Sequence, residues 1–539
     1  MTTGVRLSSW RDYEFGSVSC RSKAVLESRW QHESANEVGS ASAVEHEYAD
    51  VVVIGAGNAA LCAALAARER GANVLVLERA PYEQRGGNSR YTAGAIRTRY
   101  DGLDDLLKLV PDLNEEEKRN TDFGSYPAER FYADMDRICR FRADPDLTPI
   151  MVTRSLETWQ WLHDNHRVRF VPGYSHQAFR VDGRFRFWGG ITLLVSGGGP
   201  GLIDALTAAC ERGGIRIEYG ARAVQLVEEE GVVRGVVVRQ ERQRHTVKAG
   251  AVVIACGGFE ANAEWRTRYL GPGWELAKVR GTMQNTGDGI RMALDVGAMP
   301  WGNWSGCHAV GWDRNAPDFG DLSVGDGFQK HSYPFGIMVN ARGERFVDEG
   351  ADFRNYTYAE YGRRVLEQPG QFAWQVFDSK VTHLLRDEYR IREVTRVRAD
   401  TLEELAERLE DVDPQAFLAT VRAYNAAVRT DVPFDPTVKD GRSADGLPVP
   451  RRNWANRLDA PPYEAYATTC GITFTFGGVR IDTSGRVLDE ELGPIPGLYA
   501  AGELVGGLFY FNYPGGTGLT SGAVFGRLAG DAAGQAVTA

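Results

Sequence analysis

The stretch "DVVVIGAGNAALCAALAARERGANVLVLERA" at residues 50–80 decides the fold. Four apolar residues lead into a glycine-containing turn, which is followed by an alanine-rich segment and then by a second apolar run at 74–77. An apolar run, a helical segment and another apolar run within about thirty residues are typical of a βαβ unit, whose two strands are parallel. The stretch therefore predicts an α/β fold.

The turn in this stretch has the pattern Gly55-x-Gly57-x-x-Ala60. In a strand–turn–helix unit the first glycine permits the turn, the second lets a phosphate approach the backbone, and a small third residue lets the helix pack on the strand. The start of the helix then attracts a pyrophosphate. Glu78 ends the next strand about 20 residues on, where a carboxylate can bind a ribose; the alternative is a solvated carboxylate. The pattern predicts a dinucleotide site.

Composition limits the class of protein. The chain has 539 residues, is 43% hydrophobic and 25% charged, and carries a net charge of −10. This is ordinary globular composition with room for two or more domains, and the negative charge argues against a nucleic-acid partner. No apolar run reaches the ~18–20 residues of a membrane span. The seven cysteines show no metal, haem or iron–sulfur spacing, so we expect a reducing cytoplasm and no metal site.

The texture of the sequence changes along the chain. Residues 1–47 lack a clear periodicity and are expected to form an N-terminal extension. Apolar strand patterns that end in glycine-rich turns run through 48–303 and return at 476–539. Between them, at 304–475, lies an aromatic-rich segment without a regular pattern. We therefore expect one discontinuous domain that is interrupted by a second one.

Five motifs in a fixed order resemble those of a known family. They are the glycine fingerprint, "GGNSRYTAGA" (86–95), "ACGGFEAN" (255–262), "NTGDGIRMA" (285–293), and "IDTSGRV…IPGLYAAGE" with the final "GGTGLTSGAVFGRLAG". Over roughly 48–539 the chain resembles the flavoprotein subunits of fumarate reductase and succinate dehydrogenase and their soluble relatives. The resemblance implies an α/β fold with a discontinuous, Rossmann-like FAD-binding domain and an inserted α+β capping domain.

The same resemblance implies FAD as the cofactor. Relatives that bind FAD covalently have a histidine in the segment that matches 86–92, and none stands here, so non-covalent FAD is expected. The resemblance places Glu503 at the ribityl chain of FAD and the backbone of Val224 near the adenine. It also places the start of the helix near Leu519 at the flavin. No second dinucleotide fingerprint appears, which argues against NAD(P)H as a direct partner. The residues expected to contact FAD are Gly55, Gly57, Ala60, Glu78, Arg79, Gly87, Asn88, Ser89, Val224, Gly257, Asp288, Glu503, Gly518 and Leu519.

Members of this family move a hydride between flavin and a carbon near a carboxylate, while a protein group handles a proton. The resemblance assigns the proton step to Arg354, which follows "ERFVDE" with one extra residue in the spacing. An ion pair with Asp348 or Glu349 is the alternative interpretation. The neighbouring Tyr356 and Tyr358 are further candidates for the proton step.

Two histidines are candidates for the substrate site. His308 in "SGCHAV" matches a family histidine that grips a substrate carboxylate, and a histidine of the core is the alternative. His331 in "QKHSYPFG" is a weaker candidate for the same site.

The C-terminal motifs depart from those of the fumarate reductases. Phe474 stands where they have a histidine, and Tyr513 lies in the segment that holds their arginine. The run from Tyr513 to Gly518 resembles that of 3-ketosteroid dehydrogenases, in which a tyrosine hydroxyl polarises a ketone. "FNYPGGTGLTSGAVFGR" and "ERFVDEGADFRNYTY" together are most similar to tricarballylate dehydrogenases. Tyr510 and Tyr513 are thus candidates for binding a substrate oxygen.

The sequence therefore predicts an FAD-dependent enzyme that desaturates a C–C bond next to a carboxylate or ketone, as in tricarballylate dehydrogenases. One alternative is the reduction of an unsaturated acid, as in fumarate reductases. The other is an electron-transfer flavoprotein subunit of a larger complex. The electron acceptor (oxygen, a quinone or a redox protein) stays open, as does the identity of the small-molecule substrate.

Overall fold

The computed structural model describes residues 47–539. Apart from Glu47, the expected N-terminal extension lies outside the described residues. Between 47 and 539, no helix is both long enough and apolar enough to cross a membrane.

The strands are numbered in chain order. They are β1 (Glu47–Ile54), β2 (Val74–Glu78), β3 (Ala95–Ile96), β4 (Thr121–Asp122), β5 (Phe170–Pro172), β6 (Ala178–Val181), β7 (Arg184–Phe187), β8 (Leu193–Val195), β9 (Arg216–Tyr219), β10 (Ala221–Glu229), β11 (Val232–Gln240), β12 (Gln243–Ile254), β13 (Lys278–Val279), β14 (Pro300–Asp313), β15 (Ile337–Val339), β16 (Phe372–Phe377), β17 (Arg396–Ala399), β18 (Tyr463–Val479), β19 (Arg486–Leu488) and β20 (Pro494–Ala500).

The α-helices are numbered in the same way. They are α1 (Asn58–Glu69), α2 (Leu103–Leu107), α3 (Glu115–Asn120), α4 (Ala128–Ile138), α5 (Leu147–His166), α6 (Tyr174–Gln177), α7 (Gly198–Arg212), α8 (Ala263–Trp265), α9 (Asp288–Asp295), α10 (Tyr358–Leu366), α11 (Leu402–Arg408), α12 (Pro414–Ala427) and α13 (Thr517–Thr538).

The first sheet has eight strands and is built around β1. Its order is β10-β11-β12-β1-β2-β9, with β20 paired to β12 and β19 paired to β20. β1 is parallel to both β2 and β12, and β12 is parallel to β20. The prediction of parallel strands at 51–54 and 74–77 is confirmed. The four apolar residues 51–54 are almost completely buried, as strands covered on both faces require.

Helices α1 and α13 pack closely because small residues face each other. A Cβ on Gly526 would lie 2.3 Å from the carbonyl oxygen of Ala59, and one on Gly530 would lie 2.0 Å from that of Ala63. Larger residues at these two glycines would therefore push the helices apart. This contact holds the C-terminal helix against the helix that follows the glycine turn, so both begin at the same edge of the sheet.

The second sheet has six strands around the long strand β18. Its order is β13-β18-β16-β15, and β14 and β17 also pair with β18. β14 and β18 are antiparallel from the Pro300–Val479 pair to the Asp313–Thr468 pair. Two small three-stranded sheets, β3-β8-β5 and β4-β7-β6, complete the fold. The domain boundaries at 303/304 and 475/476 stay predictions; β14 and β18 run through these two points.

Candidate active site

One long cleft begins at the carboxyl ends of β1 and β2 and continues along the second sheet. Its first part is lined by the glycine turn, by Glu78 and by the start of α13. Its far part is lined mainly by polar, charged and aromatic side chains, which are His176, Gln177, Arg280, Asp326, Gln329, His331, Arg354, Tyr358, Arg386, Phe474 and Tyr513. A cleft at the carboxyl ends of parallel strands is the usual binding position in open α/β folds.

The two glycines of the turn are glycine for different reasons. Gly55 has a φ of +108°, and a Cβ there would lie 2.6 Å from the carbonyl oxygen of Ala255. Gly57 has a φ of −78°. A Cβ on Gly57 would meet protein atoms only at ordinary distances, the nearest being the carbonyl oxygen of Gly86 at 3.5 Å. Packing within the chain thus explains why residue 55 is glycine, but it does not explain why residue 57 is glycine. Gly57 faces the cleft at the start of α1.

Ala60 is fully buried in α1 and does not line the cleft, which agrees with its expected role in helix packing. The start of α1 has no side-chain cap on Gly57, and the backbone N–H of Asn58 donates to Ser89 Oγ over 3.1 Å. Ser89 and Gly87 both line the cleft beside it. The start of α1 therefore offers backbone donors and a positive helix end to an anionic group in the cleft.

Glu78 is a buried carboxylate at the end of β2, not a solvated one. Its oxygens accept hydrogen bonds from the backbone N–H of Ala56 at 2.9 Å and of Ala80 at 2.7 Å. Burial raises the pKa of Glu78, and these two backbone donors partly oppose that shift. The carboxylate is thereby fixed at the edge of the cleft, where its remaining lone pairs can accept from a ribose.

A cluster of charges closes the cleft beyond Glu78. Asp288 accepts two hydrogen bonds of 2.8 Å from Arg222, and Arg79 donates to the same carboxylate at 3.0 Å. The sequence predicted Arg79 and Asp288 but missed Arg222, whose place in β10 depends on a strand pairing that no local motif reveals. Val224 does not line the cleft, and its carbonyl accepts from Arg291 instead.

Ala221, Arg222 and Ala223 take the place that was expected for Val224. The lining thus includes Ala223 but not Val224, and the backbone contact of Val224 with the adenine stays a prediction. β10 has irregular register between Ala223 and Gln225, and such an irregularity changes which residues of a strand face one side.

Two carboxyl groups lie at the middle of the cleft, the half-buried Glu503 and the fully buried Glu260. Glu503 accepts from the backbone N–H of Thr475 at 2.9 Å and lines the cleft together with Gly257. Glu260, which is fully buried, accepts from the side-chain amides of Asn88 and Asn285, each at 2.6 Å.

Burial and the neighbouring Glu503 raise the pKa of Glu260, and burial also raises that of Glu503. Glu260 was missed although it lies inside a quoted motif, because an acidic residue after two glycines shows no sign of burial. Asn88 is a cleft residue as predicted, and its amide also donates to the carbonyl of Thr473 at 2.5 Å. It therefore links the first part of the cleft to the second sheet.

The start of α13 forms the wall between the two parts of the cleft. Gly516 precedes the helix with a φ of +85° and provides no side-chain cap. Gly518 and Leu519 line the cleft, and the amide of Asn58 donates to the carbonyl of Leu519 at 2.8 Å. The uncapped N–H groups give this wall a partial positive charge.

These features fit FAD. Two uncapped helix starts, a glycine at 57 that packing does not require, and a fixed carboxylate at the ribose position follow one another along one cleft. All the residues that the sequence predicted to contact FAD line this cleft, except Ala60 and Val224. The flavin would lie where α13 begins, next to the charged far part.

Three arginines stand in the far part of the cleft, and two of them are paired with carboxylates. Arg280 donates to Asp326 at 2.7 Å, and Arg386 donates to Glu388 at 2.6 Å. Arg354 has no carboxylate within ion-pair distance among residues 47–539, and one of its N–H groups donates to the backbone carbonyl of His176. The three arginines and two carboxylates leave one unbalanced positive charge.

Arg354 is nearly completely buried, and its guanidinium lies 5.2 Å from the centre of the Trp188 ring. Burial, together with the positive charge of Arg386, lowers the pKa of Arg354 to about 9. The alternative interpretation, an ion pair with Asp348 or Glu349, is wrong, since Glu349 binds Arg345 and Arg451 instead.

The tyrosine beside the cleft is Tyr358 and not Tyr356. The hydroxyls of Tyr358 and Tyr513 are 2.6 Å apart, and both side chains line the cleft. Tyr356 points away from it and donates to Asp134 at 2.7 Å. The two tyrosines are separated by two positions across the start of α10, so their side chains point in different directions. Tyr510 is half-buried and does not line the cleft.

His308 lies behind the cleft wall. Its ring packs against Phe474, Tyr358 and Tyr513, with ring centres 4.7–5.2 Å apart, and it is fully buried. Neither ring nitrogen has a hydrogen-bond partner within residues 47–539. Burial, with Arg280 adding to it, holds the pKa of His308 well below its usual value. The expectation that His308 grips a substrate carboxylate is not supported by this position.

His331 does line the cleft, with its ring 4.8 Å from that of Tyr358. Burial and the nearby arginines lower its pKa, so the ring is neutral. His176, which the sequence did not single out, also lines the cleft, and burial lowers its pKa to about 4. Neither histidine adds positive charge at neutral pH.

The fold and the cleft define a flavoprotein oxidoreductase. A family model described as an FAD binding domain matches residues 50–519, and the chain belongs to this family. It is an FAD-dependent oxidoreductase of the fumarate reductase and succinate dehydrogenase type that acts on C–C bonds.

Among known proteins, the chain is 31% identical to a probable fumarate reductase of Shewanella frigidimarina, covering 90% of this chain and 74% of that protein. It is 26% identical to a 3-oxosteroid 1-dehydrogenase of Mycobacterium tuberculosis, covering 89% of this chain and 97% of that one. The open conformation of a flavocytochrome c3 fumarate reductase superimposes with a TM-score of 0.67 at 28% identity, covering 91% and 79% of the two chains.

Proposed function

We propose that this protein desaturates a C–C bond next to a carboxylate or ketone. The observation that carries the proposal is the pairing, in one cleft, of an arginine without a carboxylate partner among residues 47–539 and two tyrosine hydroxyls in contact with each other. The arginine can exchange a proton with a substrate carbon, and the tyrosine hydroxyls can bind the oxygen of the adjacent carbonyl.

Arg354 is proposed to take the proton from the carbon next to the carbonyl. An ordinary arginine is too weak a base for this step, with a pKa above about 12. Burial and Arg386 bring the pKa of Arg354 down to about 9, which makes its neutral form accessible near physiological pH. Its bond to the carbonyl of His176 fixes the direction of the guanidinium.

Tyr513 and Tyr358 are proposed to stabilise the negative charge that develops on the carbonyl oxygen. Burial raises the pKa of both hydroxyls, so both stay protonated and can donate. The uncapped start of α13 lies beside Tyr513 in the cleft lining and adds backbone donors. Donors fixed in a buried site favour the charged transition state without having to reorganise.

When bound, FAD would supply the hydride acceptor for the second carbon, so that both electrons of the oxidised bond leave the substrate with that hydride. The protein's part is to hold the substrate between the start of α13 and the arginines. Asp326 and Glu388 already neutralise Arg280 and Arg386, so the extra carboxylates of a tricarboxylate such as tricarballylate would lack cationic partners, which favours a substrate with one anionic group at most.

Reduction of an unsaturated acid is the second candidate. The 31% identical relative is a probable fumarate reductase, and a protonated Arg354 could donate its proton in that direction. The same residues would then act in reverse, which is why the direction must be measured.

The test is anaerobic titration of the holoenzyme with saturated and unsaturated acids and ketones. We expect saturated compounds to bleach the oxidised flavin, and the matching alkene to be recovered. If unsaturated acids reoxidise the reduced flavin while no saturated compound bleaches it, the reductase function replaces the proposed one. If neither series reacts, both enzymatic candidates are wrong and the role of an electron-transfer subunit gains weight.

A further inference from the structure

A second cavity of about 350 Å³ lies next to the far part of the cleft. His176, His331, Arg354 and Arg386 line both spaces, so this group of side chains forms a shared wall. A ligand held at Tyr513 could therefore extend past Arg354 into the second cavity. The cavity has the size of a small-molecule subsite.

Besides three histidines, six aromatic residues line this second cavity, which are Tyr174, Phe179, Trp188, Phe335, Phe353 and Trp454. Trp188 stacks with both Phe179 and Phe353, with ring centres 5.9 and 5.1 Å away and planes inclined by only 9° and 24°. Phe335 meets Phe179 edge-on at 5.6 Å, and Trp454 packs on Phe353 at 5.5 Å. Stacked, nearly parallel rings bind flat apolar groups well, because such groups extend the stack.

The charges of the second cavity lie at its wall and rim. Arg354 stands over the Trp188 ring at the shared wall, while Arg386 is neutralised by Glu388. Asp387 and Arg390 lie at the exposed side, within ion-pair distance of each other. Among residues 47–539, Arg354 is the only charged residue of the cavity lining whose side chain lies over a ring of the stack of Phe179, Trp188 and Phe353, so a polar substrate tail away from Arg354 would lose hydration there without compensation.

We propose that the substrate carries an aromatic or other flat ring, which occupies this second cavity while its carboxylate or ketone end reacts in the cleft. The proposal rests on the proposed function for the reacting end only. The substrate class is thus a ring-bearing acid or ketone with a single anionic group at most, rather than a short aliphatic polyacid.

The test is equilibrium binding to the holoenzyme, followed by the change in the flavin spectrum and by dialysis. 3-Phenylpropanoate and butanoate serve as probes with and without a ring. Leu384 lines the second cavity only and is half-buried, so Leu384→Trp should narrow the cavity without touching the cleft. Leu276→Trp is the matched control, since Leu276 is 58% exposed and lines neither space.

We expect 3-phenylpropanoate to bind at least about tenfold more tightly than butanoate, the scale on which burial of an aromatic ring acts. Leu384→Trp should remove that advantage, whereas butanoate binding and the control variant should not change. Equal binding of the two acids to the wild type, or an unchanged preference in Leu384→Trp, would overturn the proposal. So would an equal loss for both acids, which would make the cavity an entry route.

Binding is measured without turnover, so the failure of this proposal can be told from that of the proposed function. Ring-selective binding that is lost in Leu384→Trp supports the subsite even if no acid bleaches the flavin. Bleaching by acids without any ring preference would support the desaturase and contradict the subsite.

Discussion

The two parts of the cleft are built in different ways. The cofactor part is made mostly of backbone: a glycine turn, two helix starts and carboxylates held by backbone N–H groups. The substrate part is made of side chains from distant segments, with Arg280, Arg354, Arg386 and Tyr513 lining the same space. Local sequence motifs can specify the first kind of site, whereas the second arises only from tertiary packing.

The largest expected effect is at Gly57. Gly57→Val should abolish FAD binding, because a side chain there would occupy the place of the pyrophosphate, while the chain itself leaves room for a Cβ. The flavin absorbance per mole of purified protein measures it.

Gly102→Val is the matched control, since Gly102 also precedes a helix, has an extended backbone and leaves open space around the position that a Cβ would take. It should keep its flavin. Normal flavin content in Gly57→Val would show that the motif is only a turn. The cofactor part of the cleft would then not be specified by this local motif.

The two parts of the cleft also differ in how well their residues could be predicted from the sequence. The parallel β1 and β2, Glu78, Arg79, Asn88, Glu503 and the start of α13 were predicted because each lies in a short motif with a fixed geometry. Arg222 and Glu260 were missed since their contacts depend on strand pairing and burial. Val224 lies at a strand irregularity, and its predicted contact with the adenine stays a prediction.

In the substrate part, Arg354 and Tyr513 line the cleft, as their predicted roles require, whereas Tyr356 and His308 do not line it. Tyr356 and Tyr358 are equivalent in the sequence, and only the start of α10 decides which one faces the cleft. His308 lies on a strand of the second sheet, where register and not composition decides whether a side chain reaches the cleft or the aromatic layer behind it.

The second prediction concerns Arg354. Arg354→Lys should lower kcat by about a hundredfold or more, the range that general acid–base groups provide, because lysine has a shorter reach and no fork. Flavin content should not change, since Arg354 lies in the far part. Arg422→Lys, at a side chain that is 71% exposed, is the control. Wild-type turnover in Arg354→Lys would transfer the proton step to Tyr358 or Tyr513.

The third prediction is a pH profile. Desaturation requires neutral Arg354, so kcat should rise about tenfold per unit below a pKa of about 9 and level off above it. If the enzyme instead reduces a double bond, kcat should fall with rising pH above that pKa, because protonated Arg354 would be required. Arg386→Gln should shift the rising limb to higher pH, because the positive charge of Arg386 helps to lower the pKa of Arg354. A flat profile between about pH 6 and 9 would contradict the assignment of the base.

The fourth prediction separates the tyrosines. Tyr513→Phe should reduce kcat by about tenfold, as expected for one lost donor to the carbonyl oxygen. Tyr356→Phe should instead lower the free energy of unfolding by about 1–3 kcal/mol, because Asp134 loses a buried donor, while kcat stays near wild type. Paired kinetic and denaturant measurements check this, and the reverse pattern would place Tyr356 at the reaction.

The smallest effect is expected at His308. His308→Phe keeps a ring among Phe474, Tyr358 and Tyr513 and removes no hydrogen bond of the described residues. The substrate concentration at half-saturation should therefore stay within about threefold of wild type. A large increase with unchanged kcat would restore the carboxylate-binding role that the sequence suggested.

The most direct test of the account is an anaerobic single turnover with the acid or ketone that bleaches the flavin. The account predicts one mole of alkene, two mass units lighter than the substrate, for each mole of flavin reduced, because the bond loses one hydride and one proton. Flavin that is reduced by dithionite but by no saturated acid or ketone, or bleaching without an equivalent amount of alkene, would contradict it.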